Sequence, residues 1–554
     1  MLKNICFLIF MILLLSNCNA QNIDNNQKVK TNSSRPNIIV ILADDIGFSD
    51  IGCYGGEVDT ANLNTLASEG VRFSQFYNSA RCMPTRACIL TGLHPQQAGI
   101  GHMGKIGNST AYQGYIEKDI PTIGNLMQDA GYTTLHVGKW HVGNNIPPTE
   151  RGFEKSWARW SRVNYWNFKE VNDNGIIRAP ISSEKEYLTD IEGQKAIEYI
   201  NYATKKQKPF FMYLAFDAAH WPLHAKQVDI DKYRGKFKKG WKVLQKERLH
   251  KIDSIGLVSK IDSKLLVEEA SPYWDSIPEN DAFEGYHPMN SSEHDQDDWD
   301  LKMSVYAAQI DCMDQNIGKI IQRLKDLGQY ENTMIFYLQD NGACPETIGA
   351  HDKNVPGTAD SYISYGLPWA HLSNTPFKMY KHFVHEGGIS TPLIVHWPNG
   401  LDKILQGRIE KESFGHVIDI VPTCLDLAGV YNKRSYPNLE GKSLLSVIKN
   451  QTDNNARTLF WEHEGNRAIR KGDWKLVSRY KSDFLFFKKW GFEKTPRTQE
   501  WELYNIKNDR WELNELSNDY PSTVEDLKKE YLEWAKRVGV IPREELINGT
   551  GIKF

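Results

Sequence analysis

The residues of this chain best suited to chemistry stand just after apolar runs. Asp44-Asp45 follow Asn37–Leu42, Asp217 and His220 follow Phe210–Phe216, and Asp340-Asn341-Gly342 follow Met334–Leu338. Asp44, Asp45, Asp340 and Asn341 offer only hard oxygen ligands, which suits Ca²⁺ or Mg²⁺ and disfavours a soft metal. Three carboxylates around a dication leave the site about one charge negative, so an anionic ligand needs cations beside it. Arg86, Lys139 and Lys381 can supply them, while His141 and His220 can exchange protons near neutral pH. Taken singly, each lysine reads as a solvated charge, each aspartate as a cap or turn residue, and a lone histidine as structural. Cys82, on residue type alone, is a small buried packing residue.

The elements that must position these groups are legible as alternating strands and helices. Asn37–Leu42 is a continuous β-branched run of the kind buried on both faces of a sheet, and Phe210–Phe216, Met334–Leu338 and Leu393–Trp397 repeat it. Helical patterns lie between, at Ile120–Ala130, Glu192–Thr204 and Ser304–Leu327. The expectation is an α/β fold, a mixed or parallel sheet covered by helices, with ligands gathered at the carboxyl ends of strands. Residues 226–300 are highly charged without a long apolar run and read as an insertion rather than another core. From about Tyr431 short aromatic segments (Thr458–Trp461, Trp474–Val477, Trp501–Tyr504) and a helical pattern at Ser522–Val538 predict a small antiparallel sheet with a terminal helix. The expected domains are thus 36–430 and 431–554, with no tandem repeat.

A chain of 554 residues with 40% hydrophobic and 11% aromatic content can afford a large core. Its 66 basic and 69 acidic residues give a net charge of −3, so no global field favours nucleic acid or an anionic membrane. Lys3, the apolar run Ile5–Leu15 and the small and polar residues to Ala20 have the layout of a secretory signal peptide, too short for a permanent span. Lipidation of Cys18 is the alternative, although Asn17 is not the usual small residue before it. Residues 21–35 read as a polar linker. Either way the expected location is outside the cytosol, periplasmic or secreted. The remaining cysteines are scattered and lack CxxC spacing, which excludes a disulfide framework and a zinc ribbon.

The segment Cys82-Met83-Pro84-Thr85-Arg86-Ala87-Cys88-Ile89-Leu90-Thr91-Gly92 resembles the signature of the type I, formylglycine-dependent sulfatases. Gly131-Tyr132-Thr133-Thr134 running to Gly138-Lys139-Trp140-His141 is similar to that family's second signature. The resemblance continues through Asp44-Asp45, His220-Trp221-Pro222-Leu223-His224, Asp340-Asn341-Gly342, and Lys381 with Glu386-Gly387-Gly388, covering Pro36 to about Gly429. It implies an alkaline-phosphatase-like sheet with a small C-terminal α+β subdomain, and sulfuric ester hydrolysis. It also implies oxidation of Cys82 to formylglycine (3-oxoalanine) by a maturating enzyme, and Ca²⁺ held by Asp44, Asp45, Cys82, Asp340 and Asn341. A hydrated formylglycine beside a cation is an activated nucleophile. By the same resemblance His141 serves the formylglycine diol, His220 and Lys381 hold the ester and protonate its leaving oxygen, and Arg86 and Lys139 complete the catalytic set.

Tyr233-Arg234-Gly235, Gly240-Trp241, Gly256-Leu257 and Asn374-Thr375-Pro376-Phe377 resemble the bacterial arylsulfatase branch, which leaves the natural substrate open. A sulfated oligosaccharide suits an exported enzyme of this kind. Trp157, Trp160, Tyr165 and Trp166 read either as a sugar-stacking wall or as core. A phosphate or phosphonate monoesterase on the same fold is the rival activity, and an unmatured, non-catalytic glycan binder is the second rival.

Overall fold

The computed structural model describes residues 35–548, apart from 144–145, 161–163, 169–170, 179–180, 183–185, 259–273, 277–294, 350–351, 433–437, 452–456 and 481–499. The expected signal peptide, Cys18 and the linker up to Ser34 lie outside the described residues, as does much of the 226–300 stretch. Among the described residues no helix is long and apolar enough to cross a membrane.

The large sheet is built, in chain order, from β1 (Asn37–Ala43), β2 (Val71–Tyr77), β3 (Thr133–Lys139), β4 (Lys155–Arg159), β5 (Val171–Asp173), β6 (Ile176–Arg178), β7 (Phe210–Ala215), β8 (Thr333–Gln339), β9 (Ser390–His396), β10 (Ile409–Glu410) and β11 (Gly415–His416). The order across it is β10-β2-β9-β8-β1-β7-β3-β4-β5-β6, with β11 also on β2. The centre, β8-β1-β7-β3-β4, is parallel, whereas β9 and β5 run antiparallel to their neighbours. This is a mixed sheet, and its parallel centre sends several strand ends to one edge.

The continuous apolar runs have the cause expected of them. Ile39 and Ile41 of β1 join one core cluster with Leu135, Met212 and Ile335, and Ile38, Val40 and Leu42 join the opposite one with Phe211, Met334 and Phe336. Alternation of side chains buries both faces. The helices that cover them are α1 (Ala61–Glu69), α2 (Cys82–Thr91), α3 (Ile123–Asp129), α4 (Leu188–Thr204), α5 (Trp241–Ser254), α6 (Gln296–Asp326) and α7 (Ile420–Leu427). Residues of α1, α4, α5 and α6 enter the first cluster, and residues of α2, α3 and α7 the second.

The described part of the charged 226–300 stretch adds to the main core: Trp241 of α5 is fully buried, edge-on to Trp274, Trp299 and Trp369 at 5.0, 5.4 and 5.2 Å. One expectation needs correction. Helix α6 begins at Gln296 rather than Ser304, capped by Asp295, whose side chain accepts from Asp298 N. The acidic residues there look solvent-bound in sequence, yet Asp297 and Asp300 are buried against Arg234.

The C-terminal sheet, β12 (Thr458–His463), β13 (Asn466–Lys471), β14 (Trp474–Ser478) and β15 (Glu502–Asn505), is antiparallel throughout. One face, with Ile469, Leu476 and Leu503, takes the apolar stripe Leu527, Tyr531, Trp534 and Val538 of α8 (Pro521–Val538). The other, with Leu459, Trp461, Ala468 and Val477, packs on Tyr77, Ala80, Val384 and Ile389 of the large unit.

Candidate active site

The site lies at the carboxyl ends of the parallel strands. Asp44 and Asp45 follow β1, Asp340 and Asn341 follow β8, Lys139 closes β3, and His220 follows β7. Cys82 opens α2 and Arg86 stands one turn further on, so helical periodicity aims both side chains at the same region. Pro84 is tolerated because first-turn N–H groups have no intrahelical acceptor, and Gly92 (φ 70°) caps the other end with its N–H on Cys88 O. At Gly138 (φ 101°) a Cβ would fall 2.0 Å from Ala215 O, so only glycine lets β3 reach Lys139 in this register. Asp45 and His141 both occupy the left-handed region, at φ 57° and 51°, a strain often stored at functional sites.

Buried ion pairs knit these groups together. Arg86 donates from Nε and Nη2 to Asp340 Oδ2 at 3.1 and 2.9 Å and from Nη2 to Asp44 Oδ2 at 3.2 Å. Lys139 Nζ also donates to Asp44 Oδ2. Lys381 Nζ reaches Asp45 Oδ2 at 2.9 Å, Asn341 Nδ2 donates to Asp45 Oδ1 at 2.7 Å, and His220 Nε2 lies 3.4 Å from Asp45 Oδ2. A cavity of about 260 Å³ opens onto Cys82, Lys139, His141, His220 and Lys381. Larger grooves of about 570 and 530 Å³ exist elsewhere but contain none of these residues.

The electrostatics favour a cation at the carboxylates. Burial, then Asp44, raises the Asp340 carboxyl to about 7, whereas at Asp45 the burial penalty is outweighed by Lys381 and His220 and the group is held low. Such crowding is relieved by a dication. Asp44 Oδ1 and Asn341 Oδ1 are buried with no hydrogen-bond partner, and ligand atoms of Asp44, Asp45 and His220 lie within 4.8 Å of one another. The residues therefore fit a hard divalent cation. Burial pushes the Cys82 thiol up to about 11 despite Lys139 and Lys381, and burial followed by Lys139 and Arg86 holds the His141 imidazole well below its usual value. Burial also lowers His220, against the pull of Asp45.

Every residue singled out for the site is thus brought to one place. The aromatic wall is not: Trp157 is core, Trp166 packs on Tyr187, and buried Tyr165 donates its hydroxyl to Asp217 O and His220 O. Trp160 alone of that set lines the cavity. Sequence reasoning missed Arg159, which faces Lys139 across β3 and β4 and grips the unassigned Asp217 through Nε and Nη2 at 2.9 and 2.6 Å. Only strand pairing reveals it. Arg81, Met103 and Glu346 were missed as well. Arg81 at least adjoins Cys82 in sequence. Of the histidines left unassigned, His224 is buried on Ser361 O at 2.6 Å.

Fold and site together describe an α/β protein whose cavity, at the strand ends, sets lysines and histidines over a buried carboxylate cluster. The family profile described as Sulfatase matches residues 36–430, and one described as N-sulphoglucosamine sulphohydrolase, C-terminal, matches 377–537. The chain is 30% identical to an uncharacterized sulfatase of Schizosaccharomyces pombe, over 92% of this chain and 95% of that protein. It is 31% identical to an arylsulfatase of Klebsiella aerogenes, over 75% and 90%. In fold it is similar to Ps i-CgsB in complex with k-i-k-neocarrahexaose, with a TM-score of 0.64, 23% identity, and 90% and 93% of the two chains covered. The protein belongs to the sulfatase family and is a sulfuric ester hydrolase with an alkaline-phosphatase-like fold.

Proposed function

We propose that this sulfatase removes sulfate from esters of carbohydrates, using formylglycine made from Cys82 by a maturating enzyme. The observation that carries this is the position of Cys82 on the cavity, ringed by Lys139, His141, His220 and Lys381 and backed by the Asp44/Asp45/Asp340/Asn341 cluster. A thiol held near 11 is protonated at neutral pH and a poor nucleophile, which favours Cys82 as a precursor. Asp44, Asp45, Asp340 and Asn341, with the modified Cys82, would hold Ca²⁺, Mg²⁺ being the alternative. Together the ion and the hydrated aldehyde would supply charge neutralisation and a hydroxyl nucleophile for attack on sulfur.

The chain's own groups do the rest. Arg86, fully buried between Asp340 and Asp44, orients both carboxylates and offsets part of their charge. Lys139 and Lys381 place positive charge where the sulfate oxygens enter. His141, held neutral by burial, accepts a proton from the residue-82 side chain, and Lys381, held protonated beside His220 on the cavity, delivers one with it to the departing alcohol oxygen. The net reaction takes up one water and yields alcohol and inorganic sulfate. The N-terminal leader supports export to the periplasm or beyond, with lipidation at Cys18 as a variant of the same route.

The carbohydrate reading is supported by the sulphoglucosamine-type C-terminal match and by the sugar held by Ps i-CgsB. The test measures sulfate and phosphate release side by side on an aryl sulfate, an aryl phosphate and a panel of sulfated saccharides, with mass spectrometry of the Cys82 peptide. Sulfate from a saccharide and a formylglycine mass support the proposal. Predominant phosphate release moves the protein to the phosphoesterases, and an unmodified thiol with no release makes it a binding protein.

A further inference from the structure

One wall of the cavity has no part in the hydrolytic roles. Arg81, which precedes Cys82 and is the N-cap of α2, lines it. Its Nη1 donates to Glu464 Oε1 at 2.8 Å and lies 2.6 Å from His382 Nδ1, and its Nη2 donates to Glu346 Oε1 at 3.3 Å. His382 is wedged between the same carboxylates, at 2.9 Å from Glu464 Oε2 and 3.1 Å from Glu346 Oε1. Glu346 Oε2 accepts from Trp221 Nε1 at 2.8 Å, which ties a second cavity residue to the group. Glu464 comes from the other sheet: it sits at the tip of the β12–β13 hairpin, with φ 54° followed by Gly465 at φ 83°.

The chemistry of this wall is specific. Glu346 and Glu464 are both held far below the usual carboxylate range, burial being outweighed at Glu346 by Lys381 and at Glu464 by His382 and Arg81. Glu346 and Glu464 face Arg81 and, 3.9 Å from Glu346, Lys381, so the wall carries no net positive charge for a second anionic group of a substrate. Arg81 Nη2 donates to Glu346 and carries a second N–H, on a side chain that lines the cavity. A rigid donor with its charge cancelled suits a neutral acceptor, a hydroxyl or amide oxygen. His382, His463 and Glu464 are close enough to hold a metal, but Arg81 already supplies the countercharge and would repel one.

We infer that Arg81, fixed by Glu346 and by Glu464 of the C-terminal hairpin, is a specificity-determining residue that donates to a neutral oxygen of the sugar ring carrying the sulfate. This rests on the carbohydrate reading above. Glu464 acts through Arg81 and is a positioning residue.

The test compares matured wild type, Arg81→Gln, Arg81→Lys and Glu464→Gln on 4-methylumbelliferyl sulfate and on singly sulfated glucosamine, galactose and fucose. For the best saccharide, Arg81→Gln is expected to raise KM about tenfold or more with kcat within about threefold, because a site built around a hydrogen bond rejects what cannot complete it. The loss in kcat/KM on the saccharide should exceed that on the aryl ester by about tenfold, with Glu464→Gln moving the same way and Arg81→Lys recovering part of it. Equal losses on both esters, or an unchanged saccharide KM in the folded variants, overturn the role of Arg81. Wild-type protein that cleaves the aryl ester but no saccharide removes the carbohydrate reading, and this inference with it. Circular dichroism of each variant separates these outcomes from misfolding.

Discussion

Lys381 and Glu386 are close in sequence, yet they serve buried charge clusters that differ in how their acceptors are filled. Around Glu386 the charges balance: its carboxylate receives Lys475 Nζ and Arg510 Nε at 2.9 Å each, and the Tyr77 and Ser390 hydroxyls at 3.0 Å each. Lys475 also lies 2.8 Å from Glu512, so two cations face two carboxylates where the C-terminal sheet meets the catalytic unit. Around Asp44, Asp45 and Asp340 three cations, Arg86, Lys139 and Lys381, also match three carboxylates, but Asp44 Oδ1 and Asn341 Oδ1 are orphaned and one carboxyl is pushed up to about 7. The Glu386 carboxylate has both oxygens engaged where the two sheets meet, whereas the cluster beside the cavity leaves acceptors open.

The sharpest way to break this contrast is at Cys82. Cys82→Ala should cost at least ~10⁴-fold in turnover with little change in melting temperature, and sulfate release at the wild-type rate sinks the nucleophile assignment. His220→Ala should cost ~10²–10⁴-fold on alkyl sulfates and less on aryl sulfates, which leave without a full proton; equal losses on both remove His220 from leaving-group protonation. Lys475→Met, in the balanced cluster, should reverse the pattern. Denaturant unfolding should show a loss of ~3 kcal/mol because two buried carboxylates, Glu386 and Glu512, lose the cation they share, while turnover per folded molecule stays within a few-fold.

The balanced cluster also predicts a pH window. Burial would raise the Glu386 carboxyl, but Lys475, Arg510 and Arg470 lower it to about 2. A depressed folded pKa contributes stability that is present above the unfolded value of 4.5 and lost as pH falls toward 2. Glu386→Gln should therefore remove on the order of 3 kcal/mol of that acid-labile stability, seen as a flatter unfolding free energy between those pH values. The smallest effect concerns the ion. Calcium at ~100 times its dissociation constant should stabilise the chelator-treated protein by ~2.7 kcal/mol and restore its turnover. Magnesium doing so at lower concentration reassigns the metal, and indifference to chelator and both ions removes it.

Much of this was legible in the chain. The strand runs of β1, β7 and β8 stand out because burial on both faces leaves no polar position, and the acidic pairs after β1 and β8 follow from where those runs stop. Strand β2 was missed because Arg72, Ser74 and Gln75 interrupt its apolar residues, and β13 because Arg467, Arg470 and Lys471 do the same. In β2 the apolar residues are Val71, Phe73, Phe76 and Tyr77, in β13 only Ala468 and Ile469, and the rest find partners or solvent. The buried start of α6 and the tryptophan cluster around Trp241 were hidden by neighbouring charges that fold into ion pairs.

By itself the sequence picked out Cys82, the candidate hard-oxygen ligands and the apolar strands that carry them, because residue type, spacing and apolar periodicity are local properties. Which carboxylate pairs with which cation was decided only by tertiary structure, as were the placement of Arg159 on Asp217 and the reach of Glu464 from the second sheet to Arg81. Those contacts join residues far apart in the chain, and their strength comes from the burial that only the finished packing creates.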